Sequence, residues 1–295
     1  GQDAACDVVA QAVAAFKAGV NDPGRPLSVL LFAGPTGVGK TALARSLARF
    51  CFGQGEKADR LVRLDLSEYG TPGAAGRLLG ETDDEPPEWI RRVREQPFCV
   101  LLLDEVEKAS PRVFDVLLGL LDEGRLTDRL GRLTNFTSAF VVMTTNLGAT
   151  AKVPPGFGEA PPPSWEKEVM GFFRPELYNR IDRVVTFAPL SRQTLLAITC
   201  KELSDLALRE GLVRARLKLS WDDAVVEHLA RAGFDPLFGA RPLQRAIERE
   251  VVAPLARILA AHPELTRKGV RLSVKAGEGI SIRVEDAPPP ETRRC

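Results

Sequence analysis

Histidine is nearly absent from this chain, with only His228 and His262 among 295 residues. Neither has a partner at metal-ligand spacing, so a zinc site or a histidine-based catalytic centre is not expected. The five cysteines (Cys6, Cys51, Cys99, Cys200, Cys295) include no C-x-x-C pair. An odd, unpatterned set reads as reduced thiols in a cytoplasmic protein, with Cys99 in the core. Excess charge of either sign is also lacking. Forty Lys and Arg stand against 39 Asp and Glu, which argues against a general nucleic-acid or polyanion binder. No apolar run approaches the ~18 residues of a membrane span. The opening GQDAACDVVAQAVAAF has acids where a secretory leader has basic residues. Neither a nucleic-acid partner nor a membrane is therefore expected.

What is present is the balance of a globular protein, 44% hydrophobic and 27% charged, with chain enough for one large domain and a smaller one. Through the first ~190 residues short apolar runs alternate with helical patterns, which predicts a parallel α/β sheet. Strands are expected at Ser28–Ala33, Leu61–Leu66, Phe98–Leu103, Ala139–Thr144 and Val184–Phe187. VLLFA, FCVLLL and AFVVM are almost wholly apolar, as strands covered on both faces should be. After Pro189 the pattern becomes helical, with Leu195, Leu196, Cys200, Leu203 and Leu206 on one face. Ser220 and Asp223 read as a capping box opening a helix over Trp221–Ala232. A third helix is expected from Pro242 to Ala261, kinked or broken at Pro254. Val270–Lys275 and Ile280–Val284 predict a hairpin around a Gly277–Gly279 turn. Val153–Pro163 reads as an exposed loop. The tail from residue 286 to 295, rich in Pro and charge, is expected to be disordered.

Gly34-Pro35-Thr36-Gly37-Val38-Gly39-Lys40-Thr41 fits G-x-x-x-x-G-K-[ST], follows the strand VLLFA and opens a helical pattern. Glycines let backbone N–H groups curl toward phosphate oxygens, and the helix N-terminus adds its positive end. Lys40 should reach the β/γ-phosphates of ATP, and the Thr41 hydroxyl should ligate Mg²⁺. FCVLLL ends in Asp104 and Glu105. Two carboxylates at the end of a buried strand are costly to desolvate and need a reason. Beside a phosphate loop that reason is an ion and a water. Asp104 would hold Mg²⁺, and Glu105 would polarise the attacking water. The strand VVMTT ends at Asn146, which either orients that water, contacts the γ-phosphate, or is simply a turn residue.

Taken in order, GPTGVGKT, LLLDEVEKASPRVFDVLLGLLDEGRLTD, TTNLG, FRPELYNRID and FDPLFGARPLQRAI resemble the C-terminal ATPase module of the Clp family of AAA+ unfoldases and disaggregases. The likeness runs from Gly1 to Val284. It implies a P-loop α/β domain over 1–188, with a parallel sheet flanked by helices, and a small, mostly helical lid with a β-hairpin over 189–285. It implies ATP hydrolysis in a ring, usually a hexamer, that remodels an unidentified protein partner. On this likeness Arg180 is the arginine finger reaching a neighbour's ATP, Arg241 touches ATP in cis from the lid, and Asn146 takes the sensor-1 position. Gly1-Gln2 resembles the start of such a module, near the adenine pocket. That the chain begins there suggests an excised domain.

One stretch departs from the family. A Gly-Tyr-Val-Gly type loop grips substrate in the axial pore of Clp unfoldases. Here Leu79–Trp89 is shorter, has no Tyr or Phe, and carries five carboxylates within Glu81–Glu88. An acidic loop of this kind cannot clamp apolar chain. Trp89 fits the first turn of a helix, WIRRVREQ, in a packing role. Arg125–Arg132 resembles the second pore-facing loop and reads equally as a solvated turn. The departure leaves a second functional reading open, a nucleotide-dependent assembly platform that does not thread polypeptide.

Overall fold

The computed structural model describes residues 1–53, 60–80, 85–148, 165–235, 239–275 and 279–286, with the side chains of 165 and 166 excepted. The chain divides into two units, a larger one over Gln2–Ala188 and a smaller one from Pro189 onward.

The larger unit opens with helix α1 (Asp3–Lys17), whose buried Ala5, Val9 and Val13 recur at the four-residue spacing of one helical face. There follow β1 (Ser28–Ala33), α2 (Lys40–Phe52), β2 (Leu61–Asp65), α3 (Ala74–Leu79), α4 (Glu88–Glu95), β3 (Val100–Asp104) and α5 (Pro111–Glu123). Then come β4 (Arg125–Thr127), β5 (Leu133–Asn135), β6 (Phe140–Thr145), α6 (Trp165–Phe172), α7 (Pro175–Tyr178) and β7 (Arg183–Thr186). Five strands form one parallel sheet in the order β2-β3-β6-β1-β7. The three inner strands β1, β3 and β6 are buried at every residue, which is why they read as unbroken apolar runs. The edge strand β2 alternates buried and open positions, and the edge strand β7 buries only Val185. A core of Leu, Val and aromatic side chains from the sheet and from α3, α4 and α5 fills the unit. This is the parallel sheet flanked by helices that the alternating pattern predicts.

The expected second strand stops at Asp65 rather than Leu66. Asp65 accepts a hydrogen bond from Ser67 N, at 3.1 Å, and turns the chain into a 3-10 turn over Leu66–Tyr69. Trp89 lies in the first turn of α4, buried. It donates from Nε1 to Leu78 O at 3.2 Å and meets the Phe136 ring at 5.9 Å, so its packing role is borne out.

The smaller unit contains α8 (Arg192–Ala207), α9 (Glu210–Arg214), β8 (Lys218–Trp221), α10 (Asp223–Ala232), α11 (Arg241–Ile247), α12 (Ala253–Ala261), β9 (Gly269–Lys275) and β10 (Gly279–Glu285). The expected face of α8 is buried, Leu196 partly so. The expected hairpin is present as β9 and β10, antiparallel from Gly279↔Lys275 to Glu285↔Gly269. Ser220 is not a helix cap. It lies in β8, which pairs parallel with β9, and its hydroxyl donates to Val270 O. Asp222 takes that place instead, its side chain accepting from Val225 N at 3.0 Å. Pro254 does not break the third helix. A π-helical turn over Glu248–Val252 joins α11 to α12, with Pro254 in the first turn of α12. The π turn directly ahead of it bonds i→i−5 rather than i→i−4, and this wider turn accommodates the missing N–H and the ring of Pro254.

Cys99 is buried, and burial pushes its thiol up to about 12, against the opposing pull of Arg92 and Arg60. Cys6, Cys51 and Cys99 are free thiols. Cys200 is disulfide-bonded, which corrects the expectation of reduced thiols throughout. Among the described residues no helix is long and apolar enough to cross a membrane. The expectations for residues 81–84 of the acidic loop, for Val153–Pro163, for 277–278 of the hairpin turn and for the tail at 287–295 lie outside the described residues.

Candidate functional site

The carboxyl ends of β1, β6 and β3 lie side by side, and the residues leaving those ends make the site. From β1 the chain passes through Gly34 and curls over Pro35–Gly39 into α2. Gly34 is buried against β7's exit. A β-carbon there would sit 2.7 Å from Phe187 O and 2.8 Å from Phe187 Cβ. Gly39, the residue before α2, has φ +110° and supplies no side-chain cap, so the helix presents bare N–H groups and its positive end. Lys40 is the first residue of α2 and only 8% exposed. Its Nζ folds back over the curl, donating to Gly34 O at 2.6 Å, Pro35 O at 2.8 Å and Asn146 Oδ1 at 2.9 Å. The Thr36 hydroxyl donates to the same Asn146 oxygen at 3.3 Å. Thr41 follows in the first turn of α2, half-buried.

β3 delivers the carboxylates. Asp104 is 7% exposed. Its Oδ1 accepts from the Thr144 hydroxyl, and its Oδ2 accepts from Arg63 Nε at 3.1 Å and Nη2 at 2.7 Å. Glu105 adopts φ +56°, a left-handed conformation that costs a non-glycine residue about 1 kcal/mol. The turn is fixed by its N–H, which donates to Thr144 Oγ1 at 3.1 Å. Thr144 thus ties the two acids together from the neighbouring strand. Among the described residues none engages the Glu105 carboxylate, which leaves it able to take a proton from a solvent molecule. Asn146, just past β6, donates from its N and its Nδ2 to Glu107 Oε1, both at 3.1 Å.

The structure therefore gathers Gly34–Lys40 with Asn146, and links Asp104 to Glu105 through Thr144. Arg180, just beyond α7, is engaged elsewhere. Its Nη2 pairs with Asp122 Oδ2 of α5 at 2.9 Å, both side chains 40% exposed. Arg241 is the exposed first residue of α11 in the smaller unit. Three contributors escaped the sequence reading, Arg63, Thr144 and Glu107, whereas Gln2 falls in the Gly1-Gln2 start that the resemblance sets near the adenine pocket. Gln2 brackets the Ala188 backbone, donating from Nε2 to its O at 2.8 Å and accepting from its N at 3.1 Å, and also reaches Val38 O at 3.3 Å. Glu107 and Thr144 lie within motifs already singled out, so proximity to those motifs was their only signal.

Residues 25–184, more than half of the chain, match the family described as AAA domain (Cdc48 subfamily). The chain belongs to the AAA domain family. Residues 190–272 of this AAA protein also match the C-terminal, D2-small domain of ClpB protein. Over 290 residues it is 41% identical to Chaperone protein ClpB of Vibrio cholerae, covering 94% of this chain and 33% of that protein. It is 41% identical over 266 residues to the ClpB of Gloeobacter violaceus, covering 87% and 30%, and 39% identical over 298 residues to that of Staphylococcus aureus, covering 97% and 33%. The chain spans about a third of the length of these relatives. It is a ClpB-like AAA+ module, and for its glycine cradle the family implies nucleotide binding.

Proposed function

We propose that this AAA+ module binds ATP with Mg²⁺, hydrolyses it, and uses the cycle to remodel protein partners within a cytoplasmic ring of like subunits, a hexamer as the family resemblance implies. The observation that carries the reading is the buried Lys40 ammonium, held by the neutral oxygens of Gly34, Pro35 and Asn146 at the open end of α2. A phosphate is a better partner for an ammonium than neutral carbonyls are, because charge-assisted bonds are roughly twice as strong. Lys40 would exchange those acceptors for β- and γ-phosphate oxygens, with the N–H groups of Gly37–Thr41 cradling the chain of phosphates.

Thr41 Oγ1 and the Asp104 carboxylate are hard oxygen donors suited to Mg²⁺. No cluster of three or more His, Cys, Asp or Glu among the described residues forms a metal cage. That agrees with an ion held chiefly by phosphate oxygens and water, as Mg²⁺ prefers. Asp104 already serves Arg63 and Thr144 with one bond set on each oxygen, which suits contact through water. Bound there, the ion would neutralise charge on the β- and γ-oxygens. Glu105, held in place by its strained turn, would orient and deprotonate the attacking water. Arg180 of a neighbouring copy and Arg241 of the same chain would meet the charge that develops on the transferred group.

The relatives are named chaperones, which favours remodelling over a passive assembly platform. ATP-dependent unfolding of a tagged fluorescent protein by the assembled ring tests that part. For the chemistry, Glu105→Gln should keep ATP affinity by calorimetry while phosphate release falls by roughly 10²–10⁴. Hydrolysis at the wild-type rate would remove Glu105 from its role. Absence of ATP uptake by the folded wild-type chain would end the whole reading.

A further inference from the structure

We propose that Glu107 is a positioning residue that decides which end of the Asn146 amide faces the phosphate cradle. The geometry stands by itself, and the kinetic consequence rests on the ATPase reading above. Glu107 lies in the 3-10 turn Val106–Lys108, two residues past Asp104–Glu105's strand end. Its Oε1 accepts both the backbone N–H and the side-chain Nδ2 of Asn146, each at 3.1 Å. A carboxylate has only acceptors to offer, and an ammonium has only donors. Set between Glu107 and Lys40, the Asn146 amide has one favourable orientation. Nδ2 faces the carboxylate, and Oδ1 faces Lys40 Nζ at 2.9 Å and the Thr36 hydroxyl at 3.3 Å. A flipped amide would oppose oxygen to carboxylate and N–H to ammonium. The second carboxylate oxygen, Oε2, is buried and takes no hydrogen bond among the described residues. A buried acceptor without a donor opposes folding, so this carboxylate sits there at a cost that its grip on Asn146 explains.

The consequence bears on the two roles open to Asn146. With Nδ2 engaged, Asn146 presents an acceptor to the cradle. An acceptor can hold the Lys40 ammonium in the free state and an O–H of the attacking water in turnover. Of the two Nδ2 protons Glu107 takes one, so the oxygen is the end of the amide turned toward Lys40 and the cradle. Among the described residues the Glu107 carboxylate bonds Asn146 alone, so it acts through that residue.

The test has a spectroscopic and a kinetic arm, both on the full chain. In a ¹⁵N–¹H spectrum the Asn146 side-chain amide pair is assigned by its loss in Asn146→Ala. Glu107→Ala should move that pair to the position of a free amide. Glu107→Gln, which keeps the Oε1 acceptor, should leave it near its wild-type position. In ATP turnover Glu107→Ala should lower kcat roughly ten- to hundredfold with KM changed less than about threefold. Glu107→Gln should recover most of that loss, and Glu107→Ala added to Asn146→Ala should cost nothing more. Should Glu107→Ala fail to fold, Asn146→Asp serves instead. It opposes two carboxylates and should lose activity, and Glu107→Gln in the same chain should restore it by turning one acid into a donor. An unmoved amide pair in Glu107→Ala, a wild-type kcat in that variant, multiplying effects of the two alanines, or no restoration by the paired change would each overturn the proposal. A wild-type chain that hydrolyses no ATP would defeat the ATPase reading alone, and the amide resonance would still decide the orientation.

Discussion

Gly34 sits where the site leaves no room for a side chain. An alanine there places Cβ 2.7 Å from Phe187 O and 2.8 Å from Phe187 Cβ, at φ +154°. One obstacle is backbone and the other a β-carbon, so neither can swing aside. Gly34→Ala should therefore push the cradle off β7, with a stability loss of about 1–3 kcal/mol. Because Lys40 bonds the Gly34 carbonyl, ATP affinity should drop with it, by tenfold or more on the scale of a lost charge-assisted hydrogen bond. Thermal unfolding and nucleotide calorimetry on one sample measure both. A variant with wild-type affinity would mean that the cradle tolerates the shift. Gly34, Lys40, Asp104 and Glu105 were legible because chain-adjacent residues express their chemistry, a glycine curl after a buried strand and acids at a buried strand's end. Arg63, Thr144 and Glu107 were not. Their partners lie 41, 40 and 39 residues away, and only the sheet order brings them together.

At the scale of elements, β4 and β5 form a hairpin that the sequence reading left between a solvated turn and a functional loop. The structure gives it an internal lock. Asp128, its side chain 1% exposed, accepts from Leu130 N and from Arg132 N and Nε within the turn. It also accepts from Arg94 Nη2 of α4 at 3.1 Å. Arg94 further donates to Thr134 Oγ1 and Arg132 O, which ties α4 to the hairpin. Burial would push the Asp128 carboxyl up, but the bonds from Arg132 and Arg94 outweigh it and hold the group below its usual value. The folded value is depressed, so the stability it contributes is present above the ordinary carboxylate range. It is lost as pH falls through the depressed value. Asp128→Asn should lower stability at neutral pH by roughly 2–3 kcal/mol. The gap to wild type should close as acid is added, read from urea unfolding at a series of pH values. A gap independent of pH would assign the loss to packing rather than charge. The three strands missed in the sequence, β4, β5 and β8, have three or four residues each. That is too short for a period of two to stand out. β8 is also specified by a partner some 50 residues on, Ser220 bonding Val270. The longer elements were legible because burial imposes a period on many residues at once, as in α8.

At the scale of the whole molecule the question is where Arg180 acts. Its pairing with Asp122 is an exposed ion pair, worth no more than about 1 kcal/mol. Releasing the guanidinium to a neighbour's phosphate is therefore cheap, and Arg180→Ala should leave the fold and the ATP affinity of a single chain unchanged. Hydrolysis is a different matter if the finger works between subunits. Arg180→Ala and Glu105→Gln should each be inactive alone, one lacking the donor it lends and the other the base it keeps. Mixed and reassembled, they should regain turnover wherever an Arg180→Ala site with an intact Glu105 faces a Glu105→Gln neighbour with an intact Arg180. In a head-to-tail ring that joins the two variants at random, this holds at about a quarter of the interfaces, so about a quarter of wild-type activity should return. If Arg180 served its own subunit's site, no arrangement of the two variants would assemble a complete one, and the mixture would stay as inactive as its parts.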